Sequence, residues 1–369
     1  MTVVRFLLYL ISFGLPKKNV VIFNSYKNTK FSFIAKNIFL HGIMNGKVNY
    51  KFVINDEKLR NCLIDTYGDY FITSTNIKDC YTICTAKFWV TSTSPVYKFP
   101  FCNIFRKVIN VWHGIPLKNI GVLDYEVSAY KSFLYKTVYR TFYTYFMVPS
   151  PSLGEVYKNS FCIGDDKVVY SGLIQPHIVT KENIKDKLGA ISKDVKVILY
   201  ATTWRSYDTD YFPFADFNLE KLNNYLVERD YIILIKPHHL EKSSVERFRC
   251  SNIIIVDDSY INDISHIFNS VDLLVTDYSS IYFDYLMTSD PYIIFVPYDL
   301  DKYKYERGFN MDYEYVTPGP KVKTLNDFCN EIDCFFSGRS LYKEKVEYIR
   351  VNYCGSEYNM IDKFNELIS

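Results

Sequence analysis

The run VDLLVTDYSSIYFDYL, Val271–Leu286, decides how the chain folds. Its first part, VDLLVT, is short and largely apolar, as a strand buried on both faces must be. A two-serine step follows, and then an apolar segment that opens a helix. A buried strand running straight into a helix is half of a βαβ unit, so this stretch predicts a parallel sheet covered by helices.

The same pattern recurs in both directions. Upstream lie NVVIFN (19–24), YKFVIN (50–55), YFITS (70–74), KFWVTS (87–92), KVINVW (107–112), YFMVPS (145–150), KVVYSG (167–172), VKVILYA (195–201), YIILIK (231–236) and NIIIVD (252–257). Downstream is YIIFVP (292–297). Alternation of such runs with helical stretches predicts an α/β protein made of two doubly wound, Rossmann-like halves. The polar stretch KENIKDKLGAISKD marks the boundary. The expected organisation is an interfacial helix over 1–18, one domain over 19–180, and a second over 181–369 that includes closing helices. Two such sheets imply a cleft, with ligands beyond the carboxyl ends of the strands.

Composition narrows the classes. The chain has 369 residues, 48% apolar and 23% charged, which suits a folded protein of two domains. A net charge of +2 hides an asymmetry: residues 1–180 carry 21 Lys and Arg against 10 Asp and Glu, and the remainder 22 against 31. A basic half suits a membrane surface or a phosphorylated substrate, or is simply a solvated face. No dense basic helix, zinc-ligand spacing or RNA-recognition signature points to nucleic acid. Nine dispersed cysteines without C-x-x-C spacing indicate reduced thiols in a cytosolic protein. The run from Phe6 to Leu15 is too short to span a bilayer. It reads as an interfacial helix ending at Pro16, with Lys17 and Lys18 reaching anionic headgroups.

Several strand ends carry groups suited to chemistry. His113 follows a strand, and Gly114 and Pro116 force a turn that presents its imidazole; the ring is either a general base or a partner for its own turn. Lys118 nearby can offset phosphate charge. Ser279 and Ser280 are either helix caps or, with the free N–H groups of the helix start, a cradle for a diphosphate. In KPHH (236–239), Lys236 and His238 suit phosphate oxygens, as do Thr203 and Arg205 in YATTWR (200–205). Asp208 and Asp210 read as solvated carboxylates rather than a metal pair. The chain lacks a Walker loop, G-x-G-x-x-G and G-x-S-x-G.

Taken together, AKFWVTSTSPVY, VINVWHGIPLKNIG, LYATTWR, IKPHH and the long block from Val271 to Val322 resemble the CDP-glycerol glycerophosphotransferase family, the teichoic-acid glycerol- and ribitol-phosphate primases and polymerases. The resemblance runs from about Asn19 to Phe328. It implies a GT-B fold and transfer of a polyol phosphate from CDP-glycerol or CDP-ribitol to a hydroxyl of a lipid-linked or polymeric acceptor, releasing CMP. His113 then resembles the base and His238 the histidine at the donor phosphates. Thr203, Arg205, Lys236, Thr276, Asp277, Ser279, Ser280 and Arg307 fall on the donor side, and Ser25 and Lys118 on the acceptor side. The scheme calls for no cofactor beyond the CDP-polyol donor, and the implied location is peripheral, at the cytoplasmic membrane face. Three positions depart from the family pattern: Ile115 replaces a threonine, Gln175 stands where an arginine is usual, and FNSYKNTKFS lacks a glycine. The open alternatives are a sugar-nucleotide glycosyltransferase of the same fold and a non-catalytic scaffold of polymer assembly.

Overall fold

All twelve expected strands form, and every pairing between them is parallel. The computed structural model describes residues 2–99, 101–174, 183–188, 194–203, 205, 210–237, 245–256, 261, 263–339 and 341–369. The strands are β1 (Lys18–Asn24), β2 (Tyr50–Val53), β3 (Phe71–Ile72), β4 (Ala86–Thr91), β5 (Lys107–Asn110), β6 (Tyr145–Val148), β7 (Val168–Tyr170), β8 (Lys196–Tyr200), β9 (Tyr231–Ile235), β10 (Ile253–Ile255), β11 (Leu273–Thr276) and β12 (Ile293–Phe295). They make a seven-stranded sheet, β3-β2-β1-β4-β5-β6-β7, and a five-stranded sheet, β10-β9-β8-β11-β12. Strand order reverses between β1 and β4 in the first and between β8 and β11 in the second. At each reversal the helices diverge to opposite faces, which opens a crevice at the carboxyl ends.

The chain divides into two units. The first comprises Met1–Gly114, Ile120–Ile174 and Gly355–Ser369; the second comprises Ile115–Asn119 and Gln175–Cys354. This differs from a single cut near residue 180 in two places. The closing helix Met360–Ile368 belongs to the first unit, where Phe364 packs 5.9 Å from Phe23 and the Leu367 carbonyl accepts from Lys107 Nζ at 3.0 Å. Gly355 permits the return: it sits at φ 64, and a Cβ there would meet the Pro149 carbonyl oxygen at 2.1 Å. The second exception, Ile115–Asn119, bears on the site.

Helix starts are signalled locally. Asp56, Asn76, Thr324 and Asn359 each accept a hydrogen bond from a backbone N–H in the first turn of the helix they open. Each such cap contributes about 1 kcal/mol. The N-terminal helix, Thr2–Ser12, buries Tyr9 against Phe99 (4.7 Å) and leaves Phe6, Leu7, Leu10 and Ile11 exposed. Lys17, expected to reach outward, turns in: its ammonium donates to the Ser12 carbonyl and, at 3.4 Å, to that of Cys84. Desolvation and the nearby Arg106 lower its pKa, while Lys18 remains exposed.

Candidate active site

In the first unit, β5 ends at Asn110, and the following turn is built to hold His113. Asn110 is fully buried, and its Oδ1 accepts from the Trp112 N–H at 2.8 Å. Trp112 adopts φ 52, a left-handed conformation that costs a bulky residue on the order of 1–3 kcal/mol. Gly114 follows at φ 119, which needs the absence of a Cβ, and its carbonyl accepts from Tyr157 Oη at 3.0 Å. The imidazole packs against the Trp112 indole in a tilted arrangement (4.0 Å between centroids) and lies 5.1 Å from Phe33. Its Nδ1 is 2.9 Å from the carbonyl oxygen of Ser92, the residue just past β4. A carbonyl only accepts, so Nδ1 carries the proton and Nε2 keeps a free lone pair. The residue is exposed, yet the flanking protein mass desolvates the ring and lowers its pKa below 6.5, against the opposing effect of the Ser92 bond. The result is a neutral imidazole at neutral pH with one open nitrogen, which is what proton abstraction requires.

Four residues further on, Lys118 lies in the second unit. The segment Ile115–Asn119 is held there by Gly308–Asn310: the Asn310 N–H donates to Leu117 O at 2.9 Å, and Asn310 Nδ2 donates to the carbonyls of Pro116 (3.0 Å) and Lys118 (2.6 Å). Desolvation lowers the Lys118 pKa; Asp277 opposes this, and Arg307 and Arg205 add to it. Lys118, expected on the acceptor side, thus shares its electrostatic surroundings with Asp277, Arg205 and Arg307. Ile115, where a threonine hydroxyl was missed, is 1% exposed and serves packing.

At the β8/β11 reversal the charges are already satisfied. Arg205 Nε donates to Asp299 Oδ2 (2.9 Å), Nη2 to Asp277 Oδ2 (2.7 Å) and Nη1 to the Thr203 carbonyl (2.6 Å). Its guanidinium also sits over the rings of Tyr303 (4.7 Å) and Tyr278 (4.9 Å). Desolvation works against its charge, and Asp277 and Asp299 outweigh that, raising its pKa. Arg205, expected at phosphate, braces the loop ends after β8, β11 and β12 in this structure. Asp277, fully buried, also accepts from the Thr203 N–H at 2.8 Å, and Thr276, also fully buried, donates from Oγ1 to Ala201 O at 2.7 Å. Both position the crevice rather than line it. Ser25, expected on the acceptor side, is fully buried with its hydroxyl donated to the Lys30 carbonyl.

Ser279 and Ser280 remain partly exposed, and Ser280 makes no side-chain cap. The helix they open, Ile281–Tyr285, has five residues, so hydroxyls and local N–H groups rather than a long helix dipole are what they offer an anion. Lys236, just past β9, is partly exposed, and Arg307 ends the helix Leu300–Arg307 close enough to influence Lys118. His238 and Asp208 lie outside the described residues; Asp210 pairs with Arg247 at 3.1 Å. Sequence reading missed Asp299, Asn310 and the aromatic group of Tyr278, Tyr303, Phe309 and Tyr313, whose centroids lie 4.3–5.9 Å apart between neighbours. No local motif signals them, since each acts through a partner remote in the chain.

The chain is 30% identical over 345 residues to the teichoic acid glycerol-phosphate transferase of Staphylococcus aureus (strain NCTC 8325 / PS 47), covering 86% of this chain and 85% of that one. It is 26% identical over 345 residues to the teichoic acid ribitol-phosphate polymerase TarL of the same strain, covering 87% and 58%. Among solved structures, the wall teichoic acid polymerase TagF superposes with a TM-score of 0.75 at 23% identity, over 99% of this chain and 92% of that one, and shares its GT-B fold. With residues 7–359 matching the profile of the CDP-Glycerol:Poly(glycerophosphate) glycerophosphotransferases, the chain is an enzyme of that family.

Proposed function

We propose that the protein transfers glycerol phosphate from CDP-glycerol to a hydroxyl of a teichoic-acid-type acceptor. The observation that carries this reading is His113, held by the Ser92 carbonyl in the tautomer that leaves Nε2 open. In the reaction, the acceptor hydroxyl gives its proton to Nε2 as its oxygen attacks the phosphorus that bears glycerol. The bond from that phosphorus to the bridging oxygen breaks, and CMP leaves. Ser279 and Ser280, with Lys118, Lys236 and Arg307, supply the donors and positive charge that a diphosphate needs, and His238 is assigned to the same phosphates by its motif. Catalysis of this kind is positioning plus electrostatics, and each lost donor typically costs about 10²- to 10³-fold. Glycerol is favoured over ribitol because the relative of higher identity transfers glycerol phosphate by its name.

The enzyme works at the cytoplasmic membrane face in this proposal. Among the described residues no helix is long and apolar enough to cross a bilayer. The exposed face of helix Thr2–Ser12, including Ile11 at 60%, is joined through the Phe13–Phe105 contact (5.1 Å) to an exposed loop that presents Phe101, Ile104 and Phe105. That apolar patch, with the basic balance of the first 180 residues, suits a bilayer with anionic headgroups.

The test is a donor screen with a purified lipid-linked acceptor: CDP-glycerol, CDP-ribitol and UDP-sugars, with nucleotide release and product mass both measured. CMP release with a mass gain of one glycerol phosphate is the expected result. UDP release, or a gain of ribitol phosphate alone, overturns the assignment.

A further inference from the structure

The first unit contains a cavity of about 240 Å³ that the scheme above does not use. Its walls are aromatic, with Trp112, Tyr135, Tyr139 and Phe161 among them, and Lys98 and Lys131 stand at it. Both lysines are exposed, and among the described residues neither is paired with a carboxylate. The wall also holds Thr93, whose Oγ1 is shielded from bulk water without a hydrogen-bond partner. Trp112 connects the cavity to the reaction: its indole packs edge-on against Phe161 at 4.5 Å and lies tilted against the His113 imidazole at 4.0 Å. The left-handed backbone at Trp112 holds the ring in this shared position.

Flat aromatic walls bind the apolar faces of sugar rings and carbon chains of polyols, hydroxyls at the wall satisfy their oxygens, and unpaired ammonium groups attract phosphate. We infer that this cavity is an acceptor subsite, binding the phosphate-bearing glycan or polyol unit next to the hydroxyl that His113 deprotonates. The inference rests on the transferase reading and extends it by naming where and by what chemistry the acceptor is held. The basic balance of residues 1–180 acts in the same direction, drawing an anionic acceptor to this unit.

The test uses the full-length protein and a soluble glycerol phosphate oligomer as probe. Titration is followed by tryptophan emission, with Trp112→Phe identifying the Trp112 component. The oligomer is expected to perturb that component, and Lys98→Gln or Lys131→Gln to weaken its binding roughly 5- to 10-fold each, as loss of a charge-assisted contact does. Lys136→Gln, on the same helix but outside the cavity, leaves binding unchanged. In transfer assays, Lys131→Gln and Tyr139→Leu raise the acceptor KM by a similar factor and leave the CDP-glycerol KM unaltered. Equal oligomer binding by wild type and the cavity variants overturns the inference, as does displacement of the oligomer by a neutral fatty alcohol, which identifies a lipid pocket. So does an equal rise in donor KM. If no CDP-polyol supports transfer but the oligomer still binds through Trp112 and the lysines, the donor assignment fails while the subsite stands.

Discussion

His113 shows how much chemistry one side chain takes from its backbone surroundings. The Ser92 carbonyl selects the tautomer, while Trp112 and Phe33 flank the ring. Substitution of His113 by Ala is expected to leave the circular dichroism spectrum and thermal midpoint near those of wild type and to lower CMP release about 10²- to 10⁴-fold. Because the folded pKa lies below 6.5, the imidazole is neutral at pH 7, so with His113 as the proposed base kcat/KM should fall only as pH drops through that lower value. A wild-type acidic limb centred at pH 7 or above would contradict the desolvated setting. The second residue-scale expectation concerns the buried brace. Asp277→Asn removes the partner of Arg205 at 2.7 Å in a fully buried position. Breaking such a pair typically costs about 3–5 kcal/mol, and urea unfolding should show it. Arg205 stood out in the sequence as a strand-end group and Asp277 through the family resemblance, but their pairing did not. Arg205 and Asp277 neutralise each other because the fold brings them together across 72 positions of the chain.

Among elements, the strands and many helix caps were written locally, whereas destinations were not. Helix Met360–Ile368 is legible as a closing helix, yet nothing in it says that it packs on Phe23 of β1. Gly355→Ala tests that return: it adds a Cβ at φ 64 against the Pro149 carbonyl, and a loss of about 2 kcal/mol or more in urea unfolding is expected. The short helix Ile281–Tyr285 carries a different expectation. Burial, with Asp263 adding to it, pushes Asp284 up to about 7 from the ordinary 3.8. The folded chain thus keeps a proton that the unfolded chain releases near pH 4, and ionisation removes stability as pH rises from there to about 7, with the full cost present above it. Asp284→Asn should therefore raise the thermal midpoint more at pH 8 than at pH 5, and an equal gain at both would contradict the shift.

For the whole molecule, charge and apolar exposure point to the same surroundings. Deleting residues 1–15 is expected to reduce co-sedimentation with vesicles containing anionic lipid, and raised ionic strength should weaken what binding remains, since surface attraction is screened within a Debye length. Unchanged co-sedimentation after the deletion would assign membrane contact to other surfaces. The family resemblance and the two-sheet fold are both legible at this scale in the sequence alone, because long blocks such as Val271–Val322 combine strand, turn and helix signals in a fixed order.

By itself the sequence determined the twelve strands, the two doubly wound halves and the set of groups at the strand ends. A strand buried on both faces must be a continuous apolar run, and that is a property of neighbouring residues. Only the tertiary structure decided which of those groups stay available. Ser25, Thr276 and Arg205 are consumed by partners 5, 75 and up to 94 positions away, Lys118 joins the unit opposite to the one expected, and Asn310 and Asp299 enter without any motif. A hydrogen bond or ion pair depends on proximity in space, and sequence distance carries no record of it.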